Sequence, residues 1–174
     1  MHNMRMKSLF GYALLFVAAI GCSSPIAAAY GQGNNPNRVH QLKSLKVVKI
    51  EAAGHNIDSW VMDNEQKREE GMMFLTDKEV KSNQGMIFVF DTVQPNNGKY
   101  AFWMHNTLIP LDIIYISPAK KVINICAGKA MDDASLYPQG PYKYVLELKL
   151  GTAKRLGIKP GARLGIPPSL KAIE

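Results

Sequence analysis

Cysteine is nearly absent from this chain: Cys22 and Cys126 are the only two in 174 residues. If Cys22 is modified or removed with the N-terminus, Cys126 has no partner, so no disulfide is expected. Histidine is scarce as well. Beyond the N-terminal region only His40, His55 and His105 remain. No H-x-H or H-E-x-x-H spacing joins them, so no metal site is expected. The methionines there (Met62, Met72, Met73, Met86, Met104 and Met131) form no M-x-x-M pair and read as core filler rather than Cu(I) ligands. Gly151, Gly157, Gly161 and Gly165 are too spread to cradle a phosphate, and no G-x-S-x-G elbow is present. No cofactor is expected. Basic residues such as Lys43, Lys46, Lys49, Lys120, Lys121 and Lys154 are scattered, so there is no nucleic-acid-binding arm.

One apolar run does stand out, at the N-terminus. Arg5 and Lys7 precede Leu9–Ile20, a run of signal-peptide length and too short for a confident membrane span. Ala19-Ile20-Gly21-Cys22 resembles a bacterial lipobox, with Ala where Leu is usual; cleavage after Ala29 is the alternative. The chain is therefore expected to be exported to the periplasm or cell envelope. Its expected membrane link is a lipid on Cys22 rather than a spanning helix. Residues 1–21 read as the leader and 22–41, rich in Ser, Pro, Ala, Gly and Asn, as a flexible linker. Residues 42–174 are enough for one domain. Losing Arg5 and Lys7 lowers the formal charge from +7 to +5.

Strand patterns dominate that domain. Residues 42–52 and 57–63 read as a hairpin around Gly54-His55-Asn56. Residues 63–71 are charged and helix-favouring, with Asp63 or Asn64 as cap and Gly71 as stop. "GMIFVFD" (85–91) reads as a buried strand, joined through "TVQPNNGK" to a strand "YAFWMHN" (100–106) in a second hairpin. "DIIYIS" and "VINICAG" make a third hairpin. A long irregular stretch, 129–142, precedes a strand at 143–150, a short helical turn and a last short strand. The expected fold is mainly β: a small, mainly antiparallel β-sandwich or barrel, with one or two short helices.

Four stretches in this order, "EEGMMF" (69–74), "GMIFVF" (85–90), "FWMHNTLIPLDIIYI" (102–116) and "YVLELKLGTAKRLGIKPG" (144–161), resemble the bacterial and archaeal domain of unknown function 192. The resemblance covers roughly residues 45 to 168. It implies a small, mostly β, jelly-roll-like protein, often behind a signal or lipoprotein leader, with no established activity and hence no catalytic residues to carry over. This chain has His105 where the family usually has Lys, Leu75 where Arg is common, and Ala162 where Asp usually follows Gly161.

The candidate site is the strip around residues 102–112. Trp103 and His105 would share one strand face, as a stacking platform beside an imidazole, with Phe102 and Met104 in the core. Asn106 and Asp112 would wall a pocket, although turn hydrogen bonding around Pro110 is a complete structural explanation of both. Glu147 either faces solvent or joins them. The expected function is that of a binding or accessory module for a polar ligand such as a glycan. The alternatives are an envelope hydrolase using Asp112 and Glu147 or Cys126, and a structural lipoprotein that binds a protein partner.

Overall fold

The computed structural model describes residues 34–97 and 101–173. The leader, Cys22 and the first part of the expected linker lie outside the described residues. The domain is mainly β, with strands β1 (Val47–Ala52), β2 (His55–Met62), β3 (Gln84–Gln94), β4 (Leu111–Ile116), β5 (Val122–Gly128) and β6 (Tyr142–Lys149). Helices α1 (Glu65–Glu70) and α2 (Thr152–Leu156) are short. Among the described residues no helix is long and apolar enough to cross a membrane.

All six strands join one sheet in the order β1-β2-β3-β6-β4-β5. The β1–β2 hairpin turns at Ala53 and Gly54, where φ is 48° and 80°, the geometry that tight hairpins need. The turn thus lies one residue earlier than the sequence places it. The β4–β5 hairpin forms as expected.

Strand β3 departs from expectation. It pairs parallel with β2 and antiparallel with β6, so the sheet is mixed rather than antiparallel. A parallel pair needs a crossover, and α1 with residues 71–83 supplies it. The expected second hairpin is absent. Residues 101–110 form no strand; Phe102 makes an isolated bridge with Leu136 instead. The last short strand is likewise reduced to bridges, Glu51 with Gly165 and Lys121 with Arg163. These link one segment to β1 and to the start of β5, at opposite ends of the strand order, so the open sheet is strongly curled.

Both faces of the sheet are buried. One face carries Ile57, Val61, Ile87, Val89, Ile114, Leu146 and Leu148 and is covered by α2 and the C-terminal segment. The other carries Trp60, Met62, Met86, Phe88, Ile113, Tyr115 and Val145 and is covered by Met72, Leu75, Met104 and Ile109. Each fully buried apolar side chain of this size stabilises the fold by about 1.5–3 kcal/mol.

Residues 35–41, expected as linker, are part of the domain. Arg38 is buried, and its Nη1 donates to the Gly71 carbonyl at 2.9 Å and to the Met73 carbonyl at 2.5 Å. Asn35 Nδ2 donates to the Phe74 carbonyl at 2.8 Å. A polar, Asn-rich stretch can dock when its donors meet the free carbonyls that follow a helix.

Candidate functional site

Helix α1 builds one wall of the site. Asn64 Oδ1 accepts from the Lys67 backbone N–H at 3.0 Å and caps it, while Asp63 pairs with Lys67 Nζ at 2.7 Å. Gly71 ends it at φ 44°. A Cβ there would come within 3.1 Å of the Phe88 ring and 3.6 Å of Glu147 Oε2. The chain thus leaves α1 directly over Glu147. Arg38 pins this exit from behind, and Glu70 closes the network. Glu70 accepts from the backbone N–H groups of Val39 and His40 at 2.7 and 3.0 Å and contacts Arg38 Nη2 at 3.4 Å.

Between α1, β3, β6 and residues 101–107 lies a cleft of about 390 Å³. Phe90, Phe102, Trp103 and Tyr142 give it an aromatic wall, and Glu65, Arg68, Glu69, Glu70 and Asp91 give it a polar rim. Glu147 belongs to its lining. In the sheet Glu147 stands between Met86 on β3 and Ile113 on β4. It is buried, and its Oε2 has no hydrogen-bond partner. Burial pushes this carboxyl up to about 8, against weaker lowering by the Met72 backbone N–H and the Arg38 charge. At neutral pH it is largely a neutral acid able to donate a proton or a hydrogen bond.

The sequence-derived candidates separate. Trp103 is 51% exposed, lines the cleft, and also borders a neighbouring hollow with Val39, Met73 and Phe74. His105 stacks on it at 4.8 Å and pairs with Asp133 Oδ1 at 2.8 Å, so it orients the indole from outside the cleft. Asn106 takes the left-handed conformation (φ 53°), and its carbonyl accepts from the Phe74 N–H at 2.8 Å, which ties the strip to the α1 exit. Asp112 is buried elsewhere. Its Oδ2 accepts from the Ala153 N–H at 2.8 Å and so caps α2. Asp112 pairs in register with Leu148, Glu147 with Ile113, so the two carboxylates leave opposite faces of the sheet. Cys126 is half-buried; burial raises its thiol pKa and an Asn124 hydrogen bond lowers it less. Among the described residues no group of three His, Cys, Asp or Glu is placed to hold a metal ion.

Sequence reasoning missed Arg68, Glu69, Gly71, Phe90 and Asp91 as cleft residues. A signal was present, because all four of the stretches "EEGMMF", "GMIFVF", "FWMHNTLIPLDIIYI" and "YVLELKL…" contribute to the cleft lining.

Two solved structures resemble this one. A protein of unknown function from Novosphingobium aromaticivorans DSM 12444 is 33% identical, with TM-score 0.66, over 78% of this chain and 96% of that one. A candidate transcription regulator from Sinorhizobium meliloti 1021 is 30% identical, with TM-score 0.63, over 70% of this chain and 95% of that one. No curated protein matches the chain significantly. Residues 47–166 match the family described as Uncharacterized ACR, domain of unknown function 192. The chain belongs to that family.

Proposed function

We propose that this protein is an exported, lipid-anchored binding module of the cell envelope whose polar ligand, such as a glycan, occupies the cleft above Glu147. The observation that carries the reading is the buried Glu147 carboxyl, without a partner at Oε2 and lining a cleft walled by the exposed Trp103. Buried polar groups are nearly always satisfied, so an orphan oxygen on a residue that lines a cleft favours a donor supplied by a ligand. The indole offers an apolar face of the kind on which a sugar ring stacks. The basic, apolar N-terminus ending at Cys22 supports export and lipidation.

A second reading is an envelope hydrolase with Glu147 as general acid, favoured by its raised pKa in a cleft. Asp112 faces away, so its partner base would come from the rim, from Glu69 or Asp91.

The test is a thermal-shift titration of the full chain in detergent against a panel of oligosaccharides. A ligand at a hundred times its Kd should stabilise the native state by about 2.7 kcal/mol. Trp103→Ala should abolish the shift. A shift that survives in Trp103→Ala, or no shift from any glycan, rejects the reading.

A further inference from the structure

The cleft differs in charge from the chain that carries it. The chain is basic, at +7, yet the cleft presents Glu65, Glu69 and Asp91 against Arg68, with Glu147 at its base and Glu70 already engaged by Arg38. One of its rings already faces a cation: the Arg68 guanidinium lies 5.1 Å from the Phe90 ring centre. Glu147, flanked in register by Met86 and Ile113, receives the Met72 backbone N–H on its carboxyl, while its buried Oε2 is left without a hydrogen-bond partner. An anionic ligand would meet a rim of like charge. A bare metal ion would lack ligands, since no group of three is placed to hold one among the described residues. An organic ammonium satisfies the three features together: it donates N–H to the orphan oxygen, it neutralises the rim, and its charge suits the aromatic wall.

We propose that the cleft takes the primary ammonium end of its ligand, an amino sugar or another amine-bearing molecule, with the nitrogen donating to Glu147 Oε2. This deepens the binding-module reading and rests on it. The pairing requires Glu147 as a carboxylate. Binding therefore converts a neutral carboxyl and a free ammonium into an ion pair, and the carboxyl proton passes to the buffer. The Met72 backbone N–H is the one protein donor to this carboxyl, and it is neutral, so no group around Glu147 replaces a cationic partner. Arg38 lies behind the α1 exit and is engaged by Gly71, Met73 and Glu70. Strand β4 brings Tyr115, whose hydroxyl donates to the Leu136 carbonyl, and β6 brings Tyr142 to the aromatic wall. Strand β3 brings Met86 and Phe88 beside Glu147, and Asp91 only at its far end. Helix α1 brings Arg68, Glu69 and Glu70, and residues 101–107 bring Trp103.

The experiment is calorimetric titration of the full chain in detergent at pH 6.5, in two buffers of different ionisation enthalpy. The probes are 5-aminopentan-1-ol, its neutral counterpart pentane-1,5-diol, and a set of neutral oligosaccharides. The amine should bind at least about tenfold more tightly than the diol and release roughly one proton per molecule bound. Glu147→Gln should remove the proton release and weaken the amine by at least about tenfold. Glu69→Gln, on the exposed rim, should weaken it less and reduce its salt dependence. Equal binding of amine and diol, or amine binding without proton release, overturns the proposal. Neutral oligosaccharides that bind where the amine does not overturn it and leave the binding-module reading standing. Failure of every probe overturns both.

Discussion

Asp112 and Glu147 sit on adjacent strands, one register step apart, and serve opposite faces of the sheet: Asp112 caps α2 and Glu147 lines the cleft. Two acidic residues that look alike in sequence therefore have unrelated energetics, and each can be tested alone.

Removing the cap should destabilise the fold without touching the cleft. Asp112→Ala leaves the Ala153 N–H buried without its acceptor and should lower unfolding stability by about 1–3 kcal/mol. Asp112→Asn, which keeps an acceptor oxygen, should cost less. Urea melts of both variants give the ordering, and ligand binding should be unchanged in each.

Glu147 should make stability fall as pH rises. The unfolded carboxyl loses its proton near 4.5, whereas the folded one holds it to about 8. Between those values the folded state binds more protons than the unfolded state, so stability declines by up to about 1.4 kcal/mol per pH unit and levels off above. Thermal melts from pH 5 to 9 should show this decline, flattened in Glu147→Gln. A wild-type profile no steeper than that of the variant would refute the burial argument.

Arg38 should matter more than its place in an apparent linker implies. Arg38→Met strips the Gly71 and Met73 carbonyls of a buried donor and leaves Glu70 short of a charge partner. The expected loss is about 3 kcal/mol, since it breaks a largely buried ion pair on one side only. Hydrogen exchange should show the amides of residues 71–75 losing protection before those of β4 and β6.

Cys126 should be a slow thiol. Its Sγ lies 3.5 Å from the Tyr137 carbonyl and accepts from Asn124 Nδ2 at 3.3 Å. Burial holds it in the thiol form, so labelling by a disulfide reagent at neutral pH should run at least about tenfold slower than in urea. Native-state labelling as fast as unfolded would reopen the nucleophile reading.

Local elements were readable from the sequence because their causes are local. Asn64 and Gly71 bracket α1 as capping chemistry requires, and the β1–β2 and β4–β5 hairpins close over short turns. Residues 101–106 misled because alternating apolar residues need not find a strand partner. The position beside β3 that a hairpin there would have taken is occupied by β6, which brings Glu147 next to Met86. Trp103 was visible as an aromatic next to polar groups. Glu147 was visible only as one charge in an alternating strand, because burial on both faces erases the inside–outside code.

By itself the sequence determined a mainly β domain of this family, the caps of α1, two near-neighbour hairpins and the absence of a His or Cys metal motif, since these depend on residues close in the chain. The tertiary structure alone decided that β2 and β3 run parallel, that residues 35–41 belong to the domain, and that Asp112 and Glu147 part company. It alone brought Glu69, Phe90, Trp103 and Glu147 to one cleft. The physical reason is that strand order sets which distant side chains share a face, and burial sets what a carboxyl on that face can do.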